Sequence, residues 1–455
     1  MSILSLDPEA VRRDAKPLTN VNPQTQFTMA LVHHFAAPFA LAVVAASCAR
    51  TSSSTIAPAG SERRVVSDAT RQRIDSTLRS FVESGKVAGI SALVWEKGSE
   101  AYFGAFGYAD RETRRPMTRD AIVQIYSMTK PTVGVALMQL YEAGKFQLDD
   151  PVARYIPELA RVRVWGGVDS LGAPVLEAPH RAMTIRDLTR HTAGFATSPD
   201  NPGVGPLLGA ADPGNRQNTL TQLAAKLGGV PLWFHPGEKW EYGPSVDIQA
   251  LLVERLSGQP FEQYLRQHVL DPLRMRDTRY VVPAADLPRF AAMYEHGDSG
   301  RLTRVPDEQA HAFNLRPWPL TPGTYGLTST IDDYMRFARM LLAGGTLDGA
   351  RILEPETVRL MATSHLSDSV TSRSWLPSKG QVGFGIDFAV RVRPPASPEE
   401  NNGTVGEFFW DGAATTLFWV DPANDLAAVL FVQLMPFDGI RLHKSFRDAV
   451  YGAVR

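Results

Sequence analysis

The sequence predicts an α+β fold: one antiparallel sheet built from both chain ends, flanked by helices, with a largely helical insertion. Three observations predict it. Apolar, alternating runs lie near the start, at residues 90–95 and 101–108, and again near the end, at 416–420 and 426–433. The long middle, 149–316, carries helical spacing and Pro- and Gly-rich loops. No strand–helix–strand alternation or internal repeat occurs, so antiparallel pairing is expected over parallel.

The elements follow in order. Residues 67–85 place Ile74, Leu78, Phe81 and Val82 on one side of an amphipathic helix. Lys97-Gly98 joins the first two strands as a hairpin turn. Val133, Leu137, Leu140 and Tyr141 trace a helix that stops at Gly144. Residues 249–256, closed by Gly258, and 261–269 are the clearer helices of the insertion, and 332–342 forms another that ends in Gly344-Gly345. Asp421-Pro422-Ala423-Asn424 turns between the last two strands, and a helix over 444–454 follows. Segments 199–216, 281–318 and 364–403 read as loops that shape a pocket.

Composition excludes several functions. A formal net charge of -1 leaves no electrostatic footprint for nucleic acid. The single cysteine excludes an internal disulfide framework and a cysteine-rich metal site. The histidines form no His-Glu-x-x-His pair, and there is neither a Gly-x-Ser-x-Gly elbow nor a Gly-x-x-x-x-Gly-Lys phosphate loop. No metal and no cofactor are expected.

The lone cysteine sits at a junction. Residues 35–46 are apolar but far short of the ~20 needed to span a bilayer. They end in Ala45-Ala46-Ser47, directly before Cys48. This reads as a secretory segment with a cleavage site. The junction resembles a bacterial lipoprotein signal, which would lipidate Cys48 and anchor an exported protein to a membrane. Ala45 stands where such signals carry leucine or valine, and no Lys or Arg separates Met29 from the apolar run. The alternative is an unprocessed segment of a cytoplasmic enzyme. The expected organisation is an extension over 1–28 with Met29 as a second candidate start, a signal over 29–48, a disordered linker over 49–66 and one domain over 67–455.

Chemistry centres on Ser127-Met128-Thr129-Lys130, where alone in this chain a serine stands three residues before a lysine. On a helix that spacing puts hydroxyl and amine on one face. At the helix N-terminus the dipole favours negative charge on the Ser127 oxygen. By itself the tetrapeptide reads equally well as an N-cap serine followed by a solvated lysine.

Further blocks accompany it: Leu148-Asp149-Asp150-Pro151-Val152, Leu188-Thr189-Arg190-His191-Thr192-Ala193-Gly194, Pro236-Gly237 with Tyr242-Gly243-Pro244-Ser245, Pro272-Leu273-Arg274-Met275-Arg276-Asp277-Thr278, Gly326-Leu327-Thr328-Ser329-Thr330, and Trp410-Asp411-Gly412-Ala413. With these blocks in order, the chain over 66–454 resembles serine β-lactamase-like hydrolases of the penicillin-recognising fold, most nearly the family VIII carboxylesterases related to class C β-lactamases. The resemblance implies Ser127 as nucleophile, with Lys130 and Tyr242 as proton-transfer groups. It also implies an oxyanion hole from the backbone N–H groups of Ser127 and Ala413, and substrate contacts at Trp410 and Gly412. A free lysine amine is protonated at neutral pH, so Lys130 must be depressed by burial or positive potential to act as a base.

Two departures bear on substrate. Trp410 stands where lactamases and peptidases carry the lysine that grips a substrate carboxylate. Pro244 replaces the asparagine of their Tyr-x-Asn motif, removing a side-chain amide. Both favour an uncharged small-molecule ester. The alternatives are a β-lactamase or D-alanyl peptidase, an acyltransferase, or a non-catalytic cell-wall binding module. His191 is expected to be a structural histidine bonded to backbone. Asp247 and Asp411 have no assigned role.

Overall fold

In the computed structural model, which describes residues 64–454 except 199, 298 and 299, Ser67 starts helix α1 (Asp68–Glu83) by accepting the Thr70 N–H. Ile74, Leu78 and Phe81 recur at helical spacing and are buried. Strands β1 (Gly89–Glu96) and β2 (Ser99–Asp110) are joined by Lys97 at φ 49° and Gly98 at φ 75°, the doubly left-handed turn that suits a two-residue hairpin.

β1 then pairs with a strand from the far end of the chain. The sheet also contains β3 (Arg115–Pro116), β4 (Val382–Phe384), β5 (Ala389–Arg391), β6 (Phe408–Asp411), β7 (Leu417–Asp421) and β8 (Leu426–Val432). Its order is β4-β5-β6-β7-β8-β1-β2-β3, antiparallel throughout. Ile90 stands opposite Val432, and Glu96 opposite Leu426, so the two termini meet in the sheet centre.

Both faces of the sheet are covered, and alternation along β7 shows how. Phe418 packs on Tyr334 and Phe337 of helix α4 (Ile331–Leu342). Its neighbour Trp419 points the other way, onto Phe446 and Tyr451 of helix α5 (Leu442–Tyr451). Every residue of β8 is accordingly buried. Between the sheet halves, helix α2 (Thr129–Glu142) packs on helix α3 (Ser245–Ser257), which ends at Gly258 in the left-handed conformation.

Several expectations change. The 364–403 segment is not only loop, since β4 and β5 extend the sheet edge there. The insertion carries two small antiparallel ladders, Val164–Val168 with Pro174–Glu177 and Tyr294–His296 with Leu302–Arg304. The helix expected over 261–269 is a short α-helix, Phe261–Leu265, continuing into a π turn, Arg266–Leu270. The last helix starts earlier than expected, at Leu442. Cys48, the 1–28 extension, the 29–48 signal and most of the 49–66 linker lie outside the described residues. No helix among the described residues is long and apolar enough to cross a membrane.

Candidate active site

Ser127 sits in a single 3-10 turn, Tyr126–Met128, that leads straight into α2. Tyr126 adopts φ 45°, an uncommon left-handed conformation for a residue with a side chain. Such strain persists where packing over-determines it, and here it sets the turn that presents the Ser127 hydroxyl. One helical turn on, the Lys130 amine donates to Ser127 Oγ at 3.0 Å and to the Thr324 carbonyl at 2.7 Å. Lys130 is almost wholly buried. Burial pushes its pKa down to about 7, although the carboxylates of Asp247, Asp387 and Asp411 act in the opposite direction. The sequence demanded a lysine able to shed its proton, and burial supplies the cause.

Asp247 belongs to this arrangement. Its Oδ1 accepts the Thr324 N–H at 2.9 Å and the Thr324 hydroxyl at 2.8 Å. It thereby fixes the carbonyl that receives Lys130. Burial raises its own pKa, against the hydrogen bonds from Thr324 and the charge of Lys130. Asp247 and Thr324 had no readable signal, because their link exists only in three dimensions.

Tyr242 closes the site from the other side. Its segment is held between two walls: the Glu241 N–H donates to the His191 carbonyl at 2.9 Å, and the Trp240 N–H to the Ser372 carbonyl at 2.8 Å. The Lys130 amine lies 4.4 Å from the Tyr242 ring centroid. Burial drives the Tyr242 pKa well up; hydrogen bonds with Ser127 and Trp410 offset this only in part, while Asp411 and Asp387 add to it. Tyr242 therefore keeps its proton at neutral pH, which suits a donor or relay and not a phenolate base.

Trp410 was expected to contact substrate. It is fully buried, and its indole N–H donates to the Tyr242 hydroxyl at 3.2 Å. Its side chain orients Tyr242 instead of facing open solvent. The exposed ring is Trp375, which stands edge-on to Tyr242 with centroids 5.3 Å apart and to Trp240 at 5.6 Å. Sequence reasoning missed Trp375, which lies in a stretch without periodicity.

Gly412 and Ala413 form the turn after β6. A Cβ on Gly412 would lie 2.4 Å from the Ile125 carbonyl oxygen and 2.3 Å from Thr416 Oγ1, so only glycine lets this turn press on the one carrying Ser127. The Ala413 N–H donates to no backbone carbonyl among the described residues.

His191 differs from expectation. Its ring is buried, and neither ring nitrogen has a hydrogen-bond partner among the described residues. Burial and the neighbouring Lys130 hold its pKa well below the usual range, so the ring is neutral. It packs 4.8 Å from Tyr242 and 5.3 Å from Phe384, an apolar wall whose backbone seats Tyr242.

A further histidine group, His180, His235 and Glu238, brings its ligand atoms within 4.8 Å of one another. His235 Nδ1 already accepts the His180 N–H at 3.3 Å. In the neutral ring its Nε2 then carries the proton and offers no lone pair to a metal.

A family model described as beta-lactamase matches residues 74–452. Protein Rv1367c of Mycobacterium tuberculosis is 34% identical over 380 residues, spanning 79% of this chain and 89% of that protein. Esterase EstB of Burkholderia gladioli is 30% identical over 398 residues, spanning 83% and 94% respectively. Among solved structures, EstCE1, described as a hydrolase with promiscuous acyltransferase activity, superposes with a TM-score of 0.69 at 24% identity, covering 84% of this chain and 99% of its own.

Proposed function

Because this chain belongs to the beta-lactamase family and has that family's serine-hydrolase fold, we propose that it is a carboxylesterase working through an acyl-enzyme on Ser127. The observation that carries this reading is the buried Lys130 amine, 3.0 Å from Ser127 Oγ and depressed to about 7. Neutral Lys130 takes the serine proton as Oγ adds to the ester carbonyl, and the carbonyl oxygen draws its negative charge onto the N–H groups of Ser127 and Ala413. Collapse breaks the bond to the alcohol, which leaves with a proton passed through Tyr242. Water then adds to the acyl-enzyme by the same route in reverse, releasing acid and free serine. An alcohol in place of water would make the same site an acyltransferase.

The substrate class follows from which cations are free. Trp410 offers an indole, not an ammonium, and spends it on Tyr242. Lys379, close to Trp410, is committed to Asp411. Both support an uncharged ester with an apolar acyl group. EstB, whose name describes an esterase, supports ester chemistry in general. One feature favours the lactamase or peptidase reading. Among the described residues Arg216 contacts neutral groups, stacking on Phe313 and Trp318 and hydrogen-bonding with Tyr325, and its charge reaches Tyr126 and Tyr325 beside the Ser127 turn. A panel of p-nitrophenyl esters from acetate to decanoate, run beside nitrocefin, decides between the two. We expect ester kcat/KM to exceed nitrocefin kcat/KM at least ~100-fold, the scale of one lost charged contact. Comparable values on nitrocefin would overturn the esterase reading.

A pH experiment tests the proton acceptor. Asp247→Asn removes a carboxylate that favours the Lys130 ammonium, yet keeps an oxygen for Thr324. The acidic limb of kcat/KM is expected to move down by roughly half to one pH unit. A limb that stays put or moves up removes Lys130 as the titrating base.

A further inference from the structure

Lys379 has no part in the chemistry above, yet it is nearly inaccessible. Its ammonium pairs with Asp411, and both side chains are less than a tenth exposed. Three rings surround the ammonium: Phe437 at 4.2 Å, Trp375 at 4.8 Å and Trp410 at 5.7 Å from their centroids. Lys379 ends the turn Leu376–Lys379, whose preceding residue is the exposed Trp375. Asp411 ends β6 and immediately precedes Gly412 and Ala413.

Stability does not call for such a pair. Desolvating two ions generally offsets their attraction, and apolar replacements of similar volume are often as stable or more so. What the pair does accomplish is geometric. It joins the segment bearing Trp375 to the strand end that leads into the oxyanion turn. That turn has no slack on its other side, because Gly412 abuts the Ile125 carbonyl, which itself accepts the Met128 N–H across the Ser127 turn.

We propose that Lys379 is a positioning residue for acyl transfer: paired with Asp411, it holds the Gly412–Ala413 turn against the Ser127 turn and keeps Trp375 over Tyr242. The inference rests on the Ser127 acyl-enzyme reading. It places Lys379 behind the site, with an effect on the transition state and little on ground-state binding.

The test uses the full chain with p-nitrophenyl butyrate, measuring kcat and KM separately alongside thermal melting. Lys379→Met is expected to lower kcat by about 30- to 100-fold, approaching the loss of one oxyanion donor, with KM changed less than about threefold. Lys379→Arg should restore most of the loss, since it keeps the charge. Lys379→Met leaves the Asp411 carboxylate unpaired, so the neutral double variant Lys379→Met/Asp411→Asn serves as the stability control. It should match Lys379→Met in kcat without a further drop, as coupled residues do. A double variant with wild-type kcat overturns the inference, as does a loss confined to KM. Either result leaves the Ser127 reading intact, because that reading fails only if Ser127→Ala stays active.

Discussion

Ser127→Ala is expected to lower kcat/KM for p-nitrophenyl butyrate by at least ~10⁴-fold, the scale seen when a catalytic serine is removed. The fold should survive, because Ser127 is partly exposed and the variant forfeits only its hydrogen bonds with Tyr242 and with the Lys130 amine, which keeps its bond to the Thr324 carbonyl. Labelling by a fluorophosphonate probe should vanish in parallel, since the probe reports the nucleophile directly. Residual activity above about one per cent, in protein that melts as wild type does, would move the nucleophile elsewhere and end the assignment.

The second large effect falls on Lys130. Lys130→Met keeps the volume of a side chain that is 3% exposed while removing the amine that donates to Ser127 Oγ. A loss of about 10³- to 10⁴-fold in kcat/KM is expected, in line with deletion of a base that works as a unit with its nucleophile. Wild-type kcat/KM should rise about tenfold per pH unit up to near 7 and then level. The methionine variant should lack that limb. Stability carries a matching signature. The ammonium titrates near 10.5 in the unfolded chain and near 7 in the fold. Between those values the unfolded chain binds the extra proton, so this group makes the fold more stable as pH rises through that window. Melting profiles of wild type and Lys130→Met between pH 7 and 10 should therefore diverge, with the upward trend in the wild type alone. Parallel profiles would mean that Lys130 stays charged in the fold.

Local patterns carried much of the architecture. Ile74, Leu78 and Phe81 marked α1 because one face had to be buried, and Lys97-Gly98 marked the hairpin because two residues had to turn left-handed. β4 and β5 escaped because three-residue strands, one of them holding Gly383, are too short to show alternation. The ladders inside the insertion escaped because their strands run only three to five residues and the longest is interrupted by Gly166-Gly167. At the site, helical spacing made the Ser127 and Lys130 pair visible, and the accompanying blocks set it apart from an N-cap serine with a solvated lysine. Tyr242, Gly412 and Ala413 came from the family resemblance and not from any local pattern. Asp247 was noticed without a role, and Thr324, Trp375 and Lys379 were invisible: their partners lie far away in sequence, and no periodicity or motif joins them. His191 was misjudged because a buried histidine ordinarily finds a polar partner, and this one is enclosed by rings.

The pairing of β1 with β8 also fixes when this protein can become active. During synthesis the Ser127 turn leaves the ribosome long before Ala413 and the strand that completes the sheet centre. The first hairpin must wait, with one edge bare, for contacts of very long range, which form slowly. A nascent or truncated chain ending before Leu426 would thus hold the Ser127 turn without the Gly412–Ala413 turn fixed against it, and would carry an open strand edge prone to wrong pairing.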